Sequence, residues 1–111
     1  MRPRDYLGHF EVMVLLAILR VGEDAYGVPI GREIERCTGR GVSLASVYAA
    51  LQRLESKKLV RSAVGESSAE RGGRAKTYFQ VTSEGMRRVR ATQRSLNALW
   101  RGLPQLEAQK L

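Results

Sequence analysis

Ser43-Leu44-Ala45-Ser46-Val47-Tyr48-Ala49-Ala50-Leu51-Gln52-Arg53-Leu54-Glu55 is the stretch on which the reading of this chain turns. Ser43 is a strong helix N-cap, because its side-chain oxygen can accept a bond from a first-turn backbone N–H. At 100° per residue, Leu44, Val47, Tyr48, Leu51 and Leu54 gather within roughly a third of the helical wheel, which predicts one buried stripe. The opposite face carries Ala45, Ser46, Ala49, Gln52, Arg53 and Ser56. It is small near its start and polar beyond. Small side chains let a helix backbone come close to a partner, and Gln and Arg can then read the hydrogen-bonding edges of bases. An ordinary solvated face would put long charged residues at positions 45, 46 and 49. The stretch therefore reads as a helix shaped to enter a DNA groove.

Downstream the period changes from helical to two. Val60, Ser62 and Val64 alternate with Arg61 and Ala63, and Thr77, Phe79 and Val81 alternate with Lys76, Tyr78 and Gln80. This predicts two half-buried strands. The segment between them, Gly65 to Ala75, is too long for a tight turn and carries the tip Arg71-Gly72-Gly73-Arg74-Ala75-Lys76. From Arg71 to Arg90 there are six basic residues (Arg71, Arg74, Lys76, Arg87, Arg88, Arg90) and one acidic residue, Glu84. Glycines between arginines let the backbone approach a phosphate chain or a narrow minor groove, where arginine is favoured. Thr82 or Ser83 then caps a last helix from about Glu84. On it Met86, Val89, Gln93, Leu96, Leu99, Trp100 and Leu103 follow a three-and-four repeat, and Pro104 ends it or begins a frayed tail.

Upstream, a first helix is predicted from about Leu7 to Val21. Its run Val12 to Leu19 is apolar on every face, and a helix of that kind must be covered on all sides. A small domain cannot do that alone, so a second subunit is expected to cover one face. Gly22-Glu23-Asp24-Ala25 ends this helix. The second begins near Tyr26 with Pro29 in its first turn, where the missing N–H costs nothing. Ile30, Ile34 and Cys37 form its buried stripe, with Cys37 as core filler. Gly39 and Gly41 stop it.

The bulk properties agree with a nucleic-acid partner. The chain has 111 residues, enough for one domain and one extra helix. Hydrophobic residues make up 43%, which supports a packed core. Lys plus Arg is 19 against 11 for Asp plus Glu, a formal net charge of +8. That excess favours a polyanion, with nucleic acid first and a membrane surface second. The single cysteine excludes an intramolecular disulfide and fits a reducing compartment. No signal-peptide pattern is apparent, and the longest apolar run is far below the about 20 residues a membrane helix needs. A cytoplasmic protein with no membrane partner is expected. His9 is the only histidine, Gly72-Gly73 is not followed by a phosphate-binding Gly-Lys-Ser/Thr, and no metal or catalytic constellation is visible. No enzyme activity, metal or cofactor is expected.

These residues resemble the PadR family of bacterial transcriptional regulators, from Leu7 to about Leu103. The resemblance is carried by Leu15-Leu16-Ala17-Ile18-Leu19, Ala25-Tyr26-Gly27, Ser43 to Glu55, and Glu70-Arg71-Gly72-Gly73-Arg74-Ala75-Lys76-Thr77-Tyr78-Phe79. It implies a mostly α fold with a small antiparallel β-hairpin. That is a winged helix-turn-helix over residues 1–82, followed by a C-terminal dimerisation helix and tail over 83–111. It also implies a homodimer that represses transcription on double-stranded DNA, and two-fold symmetry of such a dimer then implies an inverted-repeat operator. Carried over residue by residue, it assigns DNA contact to Tyr26, Ser43, Ala45, Ser46, Tyr48, Ala49 and Arg53, and in the wing to Arg71, Gly72, Arg74 and Lys76. The outward face of the third helix adds Gln52. The family's first and last helices build the dimer, which here points to Phe10, Val14, Leu96, Leu99, Trp100 and Leu103. Trp100 packs at that seam or forms the wall of a site for a small aromatic effector. The rival reading is a winged helix that docks an acidic protein. It predicts large exposed apolar anchors in place of Ala45, Ser46 and Ala49.

Overall fold

The computed structural model describes residues 6–65 and 75–107. Helix α1 spans His9–Val21, and a 3-10 turn follows at Gly22–Asp24. Helices α2, Gly27–Thr38, and α3, Leu44–Ser56, form the helix-turn-helix. Strands β1, Val60–Val64, and β2, Thr77–Val81, pair antiparallel. Their register sets Val60 opposite Val81, Ser62 opposite Phe79 and Val64 opposite Thr77. Helix α4 runs Ser83–Trp100 and the short α5 runs Pro104–Glu107. This is a mostly helical winged-helix architecture. The Phe79 N–H also donates to the Ala25 carbonyl at 2.8 Å, which fastens the hairpin to the segment before α2.

The core forms where α1, α2 and α3 meet the base of the hairpin. Leu15, Ile30, Leu51, Leu54 and Leu59 are its largest fully buried side chains, joined by Val14 and Val47. Each such burial contributes about 1.5–3 kcal/mol relative to exposure. The α1 run is covered only in part. Val14, Leu15, Ala17 and Ile18 are buried, whereas Leu16 and Leu19 remain exposed.

Several expectations are corrected. Leu44 and Tyr48 are 44% and 40% exposed and do not belong to the α3 core stripe. The stripe is Val47, Ala50, Leu51 and Leu54, because its centre lies near Val47 and Leu54, about 100° from Tyr48 on the wheel. Cys37 is exposed rather than core filler, since its turn of α2 borders an open groove between α1 and α2. Val14 has no exposed surface, which removes it from the candidate subunit interface. Of β1 only Val60 is buried, and Val64 is 73% exposed, because none of the described residues packs on the outer half of the two-stranded sheet. Finally, α4 stops at Trp100, with Gly102 in the left-handed region (φ 77°), and Pro104 opens α5.

The junction of α3, β1 and α4 is tightly built. Lys58 occupies the left-handed region at φ 62°, a conformation that costs a non-glycine residue roughly 1–2 kcal/mol. Two bonds close the end of α3 around it, Lys58 N–H to the Glu55 carbonyl and Leu59 N–H to the Leu54 carbonyl, both 2.9 Å. Thr82 then pins the start of α4 to this turn. Its hydroxyl donates to the Lys58 carbonyl at 2.9 Å, its N–H to the Leu59 carbonyl at 3.0 Å, and its side-chain oxygen accepts from Gly85 N–H at 3.0 Å. Gly85 is buried here, and a Cβ on it would collide with the Leu59 carbonyl oxygen and approach Val81 Cγ1 to 2.7 Å. Alanine would gain about 1 kcal/mol of helix propensity. Overlap with a backbone oxygen outweighs that gain, since overpacking costs about 1–3 kcal/mol. Gly85→Ala should therefore lower the thermal midpoint. A midpoint at or above wild type would show that α4 is not seated on this turn.

Candidate nucleic-acid interface

The outward face of α3 is held open by its cap. Ser43 accepts the Ser46 N–H at 3.1 Å and its hydroxyl donates to Ser46 Oγ at 2.8 Å. Ala45, Ser46, Ala49, Gln52 and Arg53 are all exposed. The first turns of this face thus offer methyl and hydroxyl groups, bordered by the partly exposed Leu44 and Tyr48, with long polar side chains further along.

Tyr48 lies beside this face against the start of α2. A Cβ on Gly27 would stand 2.6 Å from Tyr48 Cζ and 2.7 Å from its hydroxyl oxygen, so the glycine makes a slot for the ring. Tyr26 precedes that slot. Its ring meets Tyr78 edge-on, with centroids 5.6 Å apart and planes at 82°. The Lys76 ammonium sits 4.4 Å from the Tyr26 ring centroid, a cation–π contact between two half-buried side chains that contributes on the order of 1 kcal/mol. Tyr26 and Lys76, named separately on sequence, are therefore neighbours. Arg71, Gly72 and Arg74 lie outside the described residues.

Arg53 has a partner that sequence reading missed. Its Nε is 3.5 Å from the carboxylate of Glu11, which is only 4% exposed. Lys57 Nζ donates to both Glu11 oxygens at 3.2 and 3.0 Å, and the Gly8 N–H donates at 2.7 Å. Burial alone would raise the Glu11 pKa. The Gly8 N–H, the Lys57 bond and the charges of Lys57 and Arg53 outweigh it and hold the carboxyl below its ordinary 4.5. Arg53 itself stays 54% exposed.

The sequence profile of the transcriptional regulator PadR-like family matches residues 15–91. The chain belongs to this family. An uncharacterized protein of Lysinibacillus sphaericus is 36% identical over 80 residues, 70% of this chain and 69% of that protein. The crystal structure of a PadR family transcriptional regulator from Eggerthella lenta superposes with a TM-score of 0.68 at 23% identity, covering 89% of this chain and 84% of that one. A transcriptional regulator from Clostridium thermocellum gives 0.67 at 22% identity, over 80% and 83% of the two chains. At these identities the structures establish the shared winged-helix fold. As a PadR-family member the chain is a DNA-binding transcriptional regulator. Among the described residues no helix is long and apolar enough to cross a membrane, and no cluster of three or more His, Cys, Asp or Glu could hold a metal ion.

Two residues that organise this surface, Tyr78 and Glu11, are not among the candidate site residues that the sequence singles out. Tyr78 stands in the sequence as an alternating strand position and in the segment that carries the resemblance, but nothing local names Tyr26 as its partner. Glu11 did carry a signal. It is the acid three residues after Gly8, where a side chain reaches back to the N-cap N–H.

A folded-state pKa below the unfolded value contributes stability in full above the unfolded value and loses it as pH falls through the folded one. Glu11→Gln should lower stability at neutral pH by about 1–3 kcal/mol, the cost of weakening charged hydrogen bonds at a buried site. Its deficit relative to wild type should close as pH drops below 4.5. Urea midpoints across that range check this, and a deficit constant with pH would mean that the Glu11 charge does not hold α1 to α3.

Proposed function

We propose that two copies of this chain form a repressor that reads an inverted-repeat operator, each placing α3 in the major groove with the hairpin on flanking backbone. The observation that carries this reading is the exposed small face of α3, Ala45, Ser46 and Ala49, continued by Gln52 and Arg53. A docking face for an acidic protein would present large apolar anchors there. Tyr26, Tyr48 and Lys76 border the face and suit phosphate contact. Two-fold symmetry of the protein would be mirrored in the operator. The reading places the protein in the cytoplasm.

Residues 1–82 serve as the DNA-binding part in this reading, and 83–111 as the pairing helix and tail. Two uncovered apolar surfaces support pairing. Met13, Leu16, Leu19 and Ile34 line an open groove of about 380 Å³ between α1 and α2. Along the second half of α4, Leu96, Leu99 and Trp100 are exposed, Leu99 at 76%. Leu103 follows just beyond the helix, and Phe10 is half-buried at the start of α1. We infer that α4 of one copy covers α1 of the other.

Two measurements test this. Arg53→Ala should cost about 1–3 kcal/mol per half-site on duplexes selected from a random pool, and less on unselected duplex. An equal loss on both would make Arg53 a phosphate contact, and no loss would take this end of α3 out of the interface. The double change Leu96→Asp and Leu99→Asp should give monomers in light scattering, because unpaired charges are strongly disfavoured in a buried seam. A double mutant that remains a folded dimer would refute the pairing surface.

A further inference from the structure

We propose that Tyr78 is a positioning residue for DNA contact. It holds the Tyr26 ring, and through that ring the Lys76 ammonium, in the place where a phosphate is met. The inference rests on the DNA-binding reading above and assigns a role to a residue outside the α3 face.

The geometry around Tyr78 has three parts. The first is the edge-on contact with Tyr26, 5.6 Å between centroids at 82°. The second is Lys76, two residues earlier in the chain and hence on the same side of the extended backbone, with its ammonium over the other ring of the pair. The third is Gly65. A Cβ on Gly65 would collide with Cε2 of Tyr78 and come within 3.0 Å of Cδ2, so the ring lies where a side chain would stand. The Gly65 N–H donates to the Lys76 carbonyl at 2.7 Å, which ties the two ends of the hairpin together at that point. Ala63 is the cross-strand neighbour of Tyr78 and leaves the ring room to lean toward Gly65.

Tyr26 is itself fixed from behind. Its N–H donates to the Asp24 carbonyl at 2.9 Å, its carbonyl accepts the Ile30 N–H at 3.2 Å, and the adjacent Ala25 carbonyl accepts from Phe79. The aromatic pair therefore joins a rigid helix start to the hairpin. A lysine is a flexible point charge on a long stem. A ring beneath its ammonium restricts it before DNA arrives, and such preorganisation raises affinity by lowering the ordering cost of binding.

The test uses the full chain and a labelled duplex of mixed sequence, titrated with salt, with the thermal midpoint measured on each variant. Tyr78→Ala should bind roughly tenfold more weakly and flatten the slope of log K against log salt by about 1–2 per dimer, one phosphate contact per subunit at most. Tyr78→Phe should match wild type in both, since the contact with Tyr26 is between the two rings and phenylalanine keeps the ring. Gly65→Ala should weaken binding in the wild-type background and add nothing in the Tyr78→Ala background, where the obstructing ring is gone. An unchanged slope in Tyr78→Ala, or a loss that only follows a lowered thermal midpoint, would overturn the proposal. So would Tyr78→Phe binding as weakly as Tyr78→Ala, because the hydroxyl would then touch DNA directly. Equal damage from Gly65→Ala in both backgrounds would likewise refute the seat. Failure of wild type to bind any duplex would instead refute the DNA-binding reading itself.

Discussion

Glu11 joins the beginning of α1 to the end of α3, and the attitude of α3 depends on it. The carboxylate takes the backbone N–H that opens α1 and two cations from the last turns of α3, while almost none of it reaches water. A carboxylate that stays buried without partners is severely disfavoured, so a slide or rotation of α3 on α1 that strips those partners is penalised in a way a non-directional apolar contact would not impose. The rest follows from that fixed angle. α2 closes over the same core, the hairpin hangs from Ala25 at the start of α2, and α4 starts on the turn that ends α3.

The pattern around Glu11 recurs. Glu33 lies between Arg36 and Arg20, whose hydrogen bonds hold its carboxyl down at about 2. Glu84 lies between Arg87 and Arg88, which lower it in the same direction. In each group one acid serves two cations and leaves a positive charge over. Ion pairing thus orders the arginines without neutralising the chain, and the net charge of +8 persists as a field that attracts polyanions.

What the sequence made legible was mostly local. Ser43 and Thr82 cap their helices as their chemistry requires, and the two-residue period placed both strands. The errors arose where orientation depended on a neighbour. Leu44 and Tyr48 shared a wheel sector with true core residues, but small Ala50 defined the buried side and gave no hydrophobic signal of its own. Cys37 had the right spacing but faced a groove that α1 leaves open. Val14 looked available because a helix apolar all round does not reveal which face its own chain covers. The Tyr26–Tyr78 and Glu11–Arg53 contacts bring together residues 52 and 42 positions apart, beyond the reach of any periodicity.

The division of α3 into an inner stripe and an outer face also bears on how such a regulator changes over generations. Residues 45, 46 and 49 touch little of the core, so replacing them alters helix propensity by a few tenths of a kcal/mol and leaves packing intact. If α3 reads DNA as proposed, preference can drift at these positions while the scaffold stays the same. Arg53 does not share that freedom. Removing its guanidinium takes a charge away from Glu11, so a change of preference made there also draws on the stability of the domain. Under the proposed reading, new recognition is most accessible at the start of the helix and most constrained toward its end.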